Sequence, residues 1–123
     1  MTKTCLVVDD SRVVRKVARK IIEDFGFICE EAEDGALARD ACEKSLPDAV
    51  LLDWTMPNMS GLEFLKALRA MPGGKNTKVV FCTAQNDLKH IVMAMDASAD
   101  EYIMKPFDSD IIRNKFELVG LID

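Results

Sequence analysis

Short apolar runs alternate along this chain with stretches whose apolar residues recur every three or four positions. Leu6-Val7-Val8 runs into Asp9-Asp10, and Val13, Val14, Val17, Ile21 and Ile22 then follow at helical spacing until Phe25-Gly26, where glycine stops the helix. A second strand is predicted near Phe27 to Glu31 and a helix from about Gly35 to Lys44. Leu46-Pro47-Asp48 then turns the chain into Ala49-Val50-Leu51-Leu52-Asp53, a continuous apolar run that reads as a strand covered on both faces. Leu62, Leu65 and Leu68 mark one stripe of the next helix, closed by Met71-Pro72-Gly73-Gly74. Val79-Val80-Phe81-Cys82 ends at Thr83, a less regular helix spans about Asp87 to Ala97, Glu101 to Met104 forms a fifth strand, and about Asp108 to Val119 a last helix. Five strand–helix units predict an α/β fold with one parallel sheet and helices on both faces. One domain over residues 1–123 is expected, with no output domain attached.

In open sheets of this kind the ligand crevice lies at the carboxyl ends of the strands. Asp9-Asp10 end the first strand, Asp53 the third, Thr83 the fourth and Lys105 the fifth, so four strand ends would present reactive groups to one pocket. The second strand offers nothing comparable. Three carboxylates brought together repel one another, and each desolvated anion raises the pKa of its neighbours, so a cation belongs among them. Mg²⁺ fits best, because it takes one or two carboxylates, keeps several waters and completes its octahedron with phosphate oxygens. Lys105 adds a second positive charge. With an incoming phosphoryl group neutralised in this way, Asp53 can attack phosphorus in line to give an acyl phosphate, and Thr83 can donate a hydrogen bond to it.

Composition narrows the choices further. Hydrophobic residues make up 49% and charged residues 30%, as in ordinary globular proteins. A net charge of −5 and a pI near 4.9 argue against direct binding of nucleic acid. No apolar run approaches the roughly 20 residues of a membrane span, and a cytoplasmic protein is expected. Cys5, Cys29, Cys42 and Cys82 lie far apart with no C-x-x-C pair, so they read as buried reduced thiols.

Over essentially its full length the chain resembles the receiver domains of two-component response regulators, most closely the single-domain chemotaxis type. The resemblance rests on Leu6-Val7-Val8-Asp9-Asp10-Ser11, on Asp53-Trp54-Thr55-Met56-Pro57-Asn58-Met59-Ser60-Gly61, and on Asp100-Glu101-Tyr102-Ile103-Met104-Lys105-Pro106-Phe107. It implies a flavodoxin-like three-layer sandwich with strand order 2-1-3-4-5 and five helices. It also implies phosphorylation of Asp53 by a histidine kinase or phosphotransfer protein, and Mg²⁺ held by Asp10, Asp53 and the backbone carbonyl of Thr55, with Asp9 reaching the metal through water. Thr83 and Tyr102 would form a switch that remodels the surface of helix four, strand five and helix five for a downstream partner. A monomer is expected, with dimerisation on phosphorylation left open. The Lys105-Pro106 bond is typically cis in the family. Ser60 stands where the family commonly has aspartate, Ser98 where it often has glycine, and Thr55 and Gln85 at its variable positions.

Two other activities share parts of this pattern. An aspartate-nucleophile Mg²⁺ phosphatase of the haloacid dehalogenase type needs a second aspartate two residues beyond the first, where this chain has Thr55. A flavin or dinucleotide binder lacks its Gly-rich phosphate loop after the first strand. His90 reads as a lone surface histidine, Met93, Met95 and Met104 as core filling beside the output surface, and Arg12, Arg15, Lys16, Arg19 and Lys20 as a solvated basic face where kinases dock on relatives.

Overall fold

The computed structural model describes residues 2–83 and 88–123. Ten elements alternate: β1 (Thr4–Val8), α1 (Arg12–Asp24), β2 (Ile28–Ala32), α2 (Gly35–Lys44), β3 (Ala49–Asp53), α3 (Gly61–Ala70), β4 (Lys78–Thr83), α4 (Leu88–Asp96), β5 (Glu101–Met104) and α5 (Ser109–Leu118). The five strands form one parallel sheet in the order β2-β1-β3-β4-β5. The strand order and the alternation are those expected from the sequence. Gln85 and Asp87, named above, lie outside the described residues.

Each strand divides its side chains between two cores, because successive residues point to opposite faces. Leu6, Val8, Val50, Leu52 and Phe81 pack with Ala38, Phe64, Leu65, Leu68 and Ala94 under α2, α3 and α4. Cys5, Val7, Leu51, Val80 and Ile103 pack with Ala18, Ile22, Ile112 and Phe116 under α1 and α5. Every residue of β3 is buried, which is why its sequence is apolar without alternation.

Polar residues at the strand-to-helix junctions start the helices. Ser11 accepts from Val14 N, Asp34 from Leu37 N and Asp108 from Ile111 N, each satisfying an orphan donor of the first turn. Ser60 and Glu63 form a reciprocal capping box that opens α3. The Lys105–Pro106 bond is cis, and Ser98 has a φ of 74°, in the left-handed region that favours glycine.

Three expectations need correction. Met93, Met95 and Met104 are exposed and fill no core, because they fall on the outward faces of α4 and β5. His90 is half-buried against an aromatic ring. The basic stretch of α1 is only partly solvated: Arg15, Lys16 and Arg19 converge on Glu31 of β2 at 3.1, 2.8 and 3.0 Å.

Candidate functional site

The sheet ends at β1 and β3 carry the acidic residues side by side, since these strands are direct neighbours. Carboxylate oxygens of Asp9, Asp10 and Asp53 all lie within 4.8 Å of one another. Asp9 and Asp53 are buried and Asp10 is exposed. Lys105, just beyond β5, reaches across the end of β4 and places Nζ 2.7 Å from Asp9 Oδ2 and 3.1 Å from Asp53 Oδ1. One ammonium therefore bridges two carboxylates that would otherwise face each other unshielded.

The acids are not equivalent. Both oxygens of Asp9 are engaged, Oδ1 accepting from Ser11 N at 2.8 Å and Oδ2 from Lys105. The hydrogen bonds to Asp53 from described residues fall on Oδ1, from Trp54 N at 3.0 Å and from Lys105. Burial, then repulsion from Asp9, push the Asp53 carboxyl above its ordinary range, and the Lys105 charge only partly offsets them. Burial works against the Lys105 charge, yet its hydrogen bond to Asp9 and the charges of Asp53 and Asp9 outweigh that cost and raise its pKa.

Thr83 is buried at the end of β4, one residue past Cys82, the register partner of Asp53. Its carbonyl accepts from Lys105 N at 2.9 Å, which ties the threonine and lysine backbones together. Thr55 is exposed in the loop after β3, and no described residue donates to its carbonyl. Tyr102 lies apart from the acids: it is half-buried on β5 against the α2–α3–α4 core, with Lys115 Nζ 5.1 Å from its ring centroid. The donor set at Asp9, Asp10 and Asp53 consists of oxygens alone, the chemistry of a site for a hard divalent cation.

A description of the response regulator receiver domain matches residues 5–117. The chain belongs to that family. Over 115 residues it is 32% identical to the chemotaxis protein CheY of Pseudomonas aeruginosa, covering 93% of each chain. It is 34% identical to the chemotaxis protein CheY-3 of Vibrio cholerae, covering 93% of this chain and 88% of that one. Among solved structures, the chemotaxis response regulator CheY4 of Vibrio cholerae superposes with a TM-score of 0.91 at 28% identity, over 97% of this chain and 99% of the other.

Three supports of this receiver site were not read from the sequence. Asn58 Nδ2 donates to Asp34 Oδ2 at 2.9 Å and Gly35 N to Met59 O at 3.3 Å, so the start of α2 clamps the loop that carries Thr55. An aspartate before a helical run announces a cap, but its second oxygen gives no sequence signal for a partner 24 residues away. Gly61 packs directly on the Asp53 carbonyl, which a β-carbon there would strike, and its N–H donates to Trp54 O at 3.0 Å. Trp54 itself stacks on His90 and packs on Phe81. A cavity of about 740 Å³ beside β2, lined by Arg15, Lys16, Glu31, Leu37, Asp40 and Lys44 among others, includes none of the acidic site.

Proposed function

We propose that this receiver domain accepts a phosphoryl group on Asp53 from a histidine kinase or a phosphotransfer protein, and that the modification changes the surface formed by α4, β5 and α5. The observation that carries the reading is the convergence of Asp9, Asp10 and Asp53 within 4.8 Å under a single bridging ammonium. Such a site is short of positive charge unless a cation joins it, and it is then ready for an anionic phosphoryl group.

Asp10, Asp53 and the Thr55 carbonyl would hold Mg²⁺, with Asp9, already engaged through both oxygens, contributing through water. When bound, the ion neutralises charge on the phosphoryl oxygens. Asp53 is the nucleophile: a carboxylate oxygen forms the bond to phosphorus while the bond to the donor's leaving group breaks, its electrons departing with that group. Trp54 N and Lys105 hold Oδ1 and so orient the carboxylate, and the other oxygen would be the one to attack. Lys105 can then follow the added negative charge, and the Thr83 hydroxyl can donate to it. The same groups can assist water in removing the phosphoryl, so the protein serves as a signalling acceptor that takes part in its own turnover.

The partner faces follow from exposure. Val13 and Val17 stand 72% and 50% exposed on α1, next to the acidic strand end, and suit the phosphoryl donor. Met93, Met95, Met104 and Ile111 are exposed on α4, β5 and α5, and Met104 and Ile111 line a cleft of about 380 Å³ together with Tyr102 and Lys115. Adaptable methionine side chains there suit a downstream protein target. Thr83 and Tyr102 are the switch between site and surface, and a chemotaxis-type output in the cytoplasm goes with this reading.

Acetyl phosphate and Mg²⁺ test it. Wild-type protein should incorporate phosphoryl and Asp53→Asn should not, while chelating the metal should stop incorporation in the wild type. Undiminished labelling of Asp53→Asn would refute the acceptor assignment.

A further inference from the structure

Just past β1, every polar atom of Asp9 has a partner. Its N–H donates to Ala32 O at 3.1 Å, Oδ1 accepts from Ser11 N, Oδ2 accepts from Lys105, and its carbonyl accepts from Arg15 Nη1 at 2.8 Å. Arg15 lies on α1 and holds a second acceptor, since its Nε donates to Glu31 Oε1 at 3.1 Å. Lys16 and Arg19 take the other oxygen of Glu31. One guanidinium, its side chain only 13% exposed, thus links the turn after β1 to the edge strand β2.

The Asp9 carbonyl belongs to the peptide unit that leads into Asp10. That unit is planar, so holding its oxygen fixes the direction in which the chain enters Asp10. Asp10 depends on its backbone for placement: it is exposed, and among the described residues no group bonds or pairs with its carboxylate.

We infer that Arg15 is a positioning residue for the divalent-cation site, holding the Asp9–Asp10 peptide so that the Asp10 carboxylate stands beside Asp53.

A planar fork suits this task. Its donors keep a fixed relation to one another, so Glu31 anchors one of them and the other locates the carbonyl. A lysine offers a single nitrogen on a flexible stem and cannot hold both acceptors at a set spacing. Charge and geometry also act in opposite directions here. Arg15 is a cation bonded to a member of the acidic cluster, so by charge alone its removal makes the site more negative and tightens Mg²⁺ binding. By geometry, its removal frees the peptide that aims Asp10 and weakens binding. The sign of the change therefore tells the two apart.

The test titrates the full-length protein with magnesium chloride, following the emission of Trp54, which adjoins Asp53, with calorimetry as a second readout. Arg15→Met is expected to bind Mg²⁺ on the order of tenfold more weakly than wild type, the low end of what a partner outside the ligand set contributes. Arg15→Lys keeps the charge and should also bind more weakly, and it decides the matter if the methionine variant does not fold. Lys16→Met removes a bond to the same Glu31 without touching Asp9, so it should lower the melting temperature in a chelator while binding Mg²⁺ no more weakly than wild type. The inference is overturned if either folded Arg15 variant binds Mg²⁺ as tightly as wild type or more tightly, or if Lys16→Met weakens binding as much as Arg15→Met. It rests on the proposed Mg²⁺ site: failure of wild-type protein to bind the ion would overturn both readings, whereas full affinity in the Arg15 variants would overturn this one alone.

Discussion

The indole of Trp54 lies nearly flat on the imidazole of His90, with ring centroids 4.3 Å apart and an interplanar angle of 18°. Trp54 follows the candidate acceptor Asp53 directly, and His90 is on the first turn of α4. The stack therefore joins the Asp53 end of β3 to a helix of the proposed output surface.

Trp54 is the only tryptophan, so its emission reports the contact. His90→Ala is expected to alter the intensity and wavelength of that emission and to cost about 0.5–1 kcal/mol of stability, the range for an aromatic pair. Steady-state fluorescence and a denaturant titration measure both. An unchanged spectrum would contradict the stack.

Asp53 gives a pH dependence with a definite sign. Burial first, then Asp9, raise its folded pKa above the ordinary 3.8, so folding takes up protons as this group titrates. Its ionised form therefore weakens the metal-free fold near neutral pH, and that penalty disappears as pH falls through the raised value. Asp53→Asn is expected to melt higher than wild type at pH 7 in a chelator, with the difference shrinking on acidification. A lower melting temperature for the variant at pH 7 would show that the crowding argument is wrong.

Glu31 behaves in the opposite way. Burial opposes its charge, but hydrogen bonds from Lys16, Arg19 and Arg15 win and lower its pKa from 4.5 to about 2. Its contribution to stability is complete above pH 4.5 and is lost as pH falls toward about 2. Lys16 is 56% and Arg19 37% exposed, so solvent screens much of the attraction. Glu31→Gln should cost about 1–2 kcal/mol at neutral pH after that discount and flatten the acid limb of the stability curve. Urea unfolding at several pH values would measure both effects, and equal acid slopes for the two proteins would contradict them.

Ser98 adopts a φ of 74° while its carbonyl accepts two bonds from Arg69, at 3.1 and 2.7 Å. The carbonyl must face the guanidinium, which fixes the left-handed backbone whatever the side chain. Ser98→Gly should keep these bonds and raise stability by about 0.5–1 kcal/mol, since glycine takes this conformation without a β-carbon clash. A loss of stability on thermal melting would count against that reading.

The sheet and the acidic cluster were legible in the sequence because both follow from what ends each apolar run. Buried β3 shows as Ala49-Val50-Leu51-Leu52, and a parallel sheet must place the residues after such runs at one edge. Pairwise contacts between distant segments were not legible. His90 looked solitary because its partner is 36 positions away and aromatic stacking leaves no spacing signal. The methionines of α4 and β5 looked like core residues because hydrophobicity alone does not tell a core from a docking face. The basic run of α1 looked solvated because Glu31 meets it only once β2 lies beside β1.

The most direct measurement of the central claim is chemical trapping of the phosphorylated species. Wild-type protein treated with acetyl phosphate and Mg²⁺, then reduced with borohydride, should carry the reduction mark of an acyl phosphate at Asp53 alone. A mark at Asp9 or Asp10 in place of Asp53, or none under conditions where the protein binds Mg²⁺, would contradict the account.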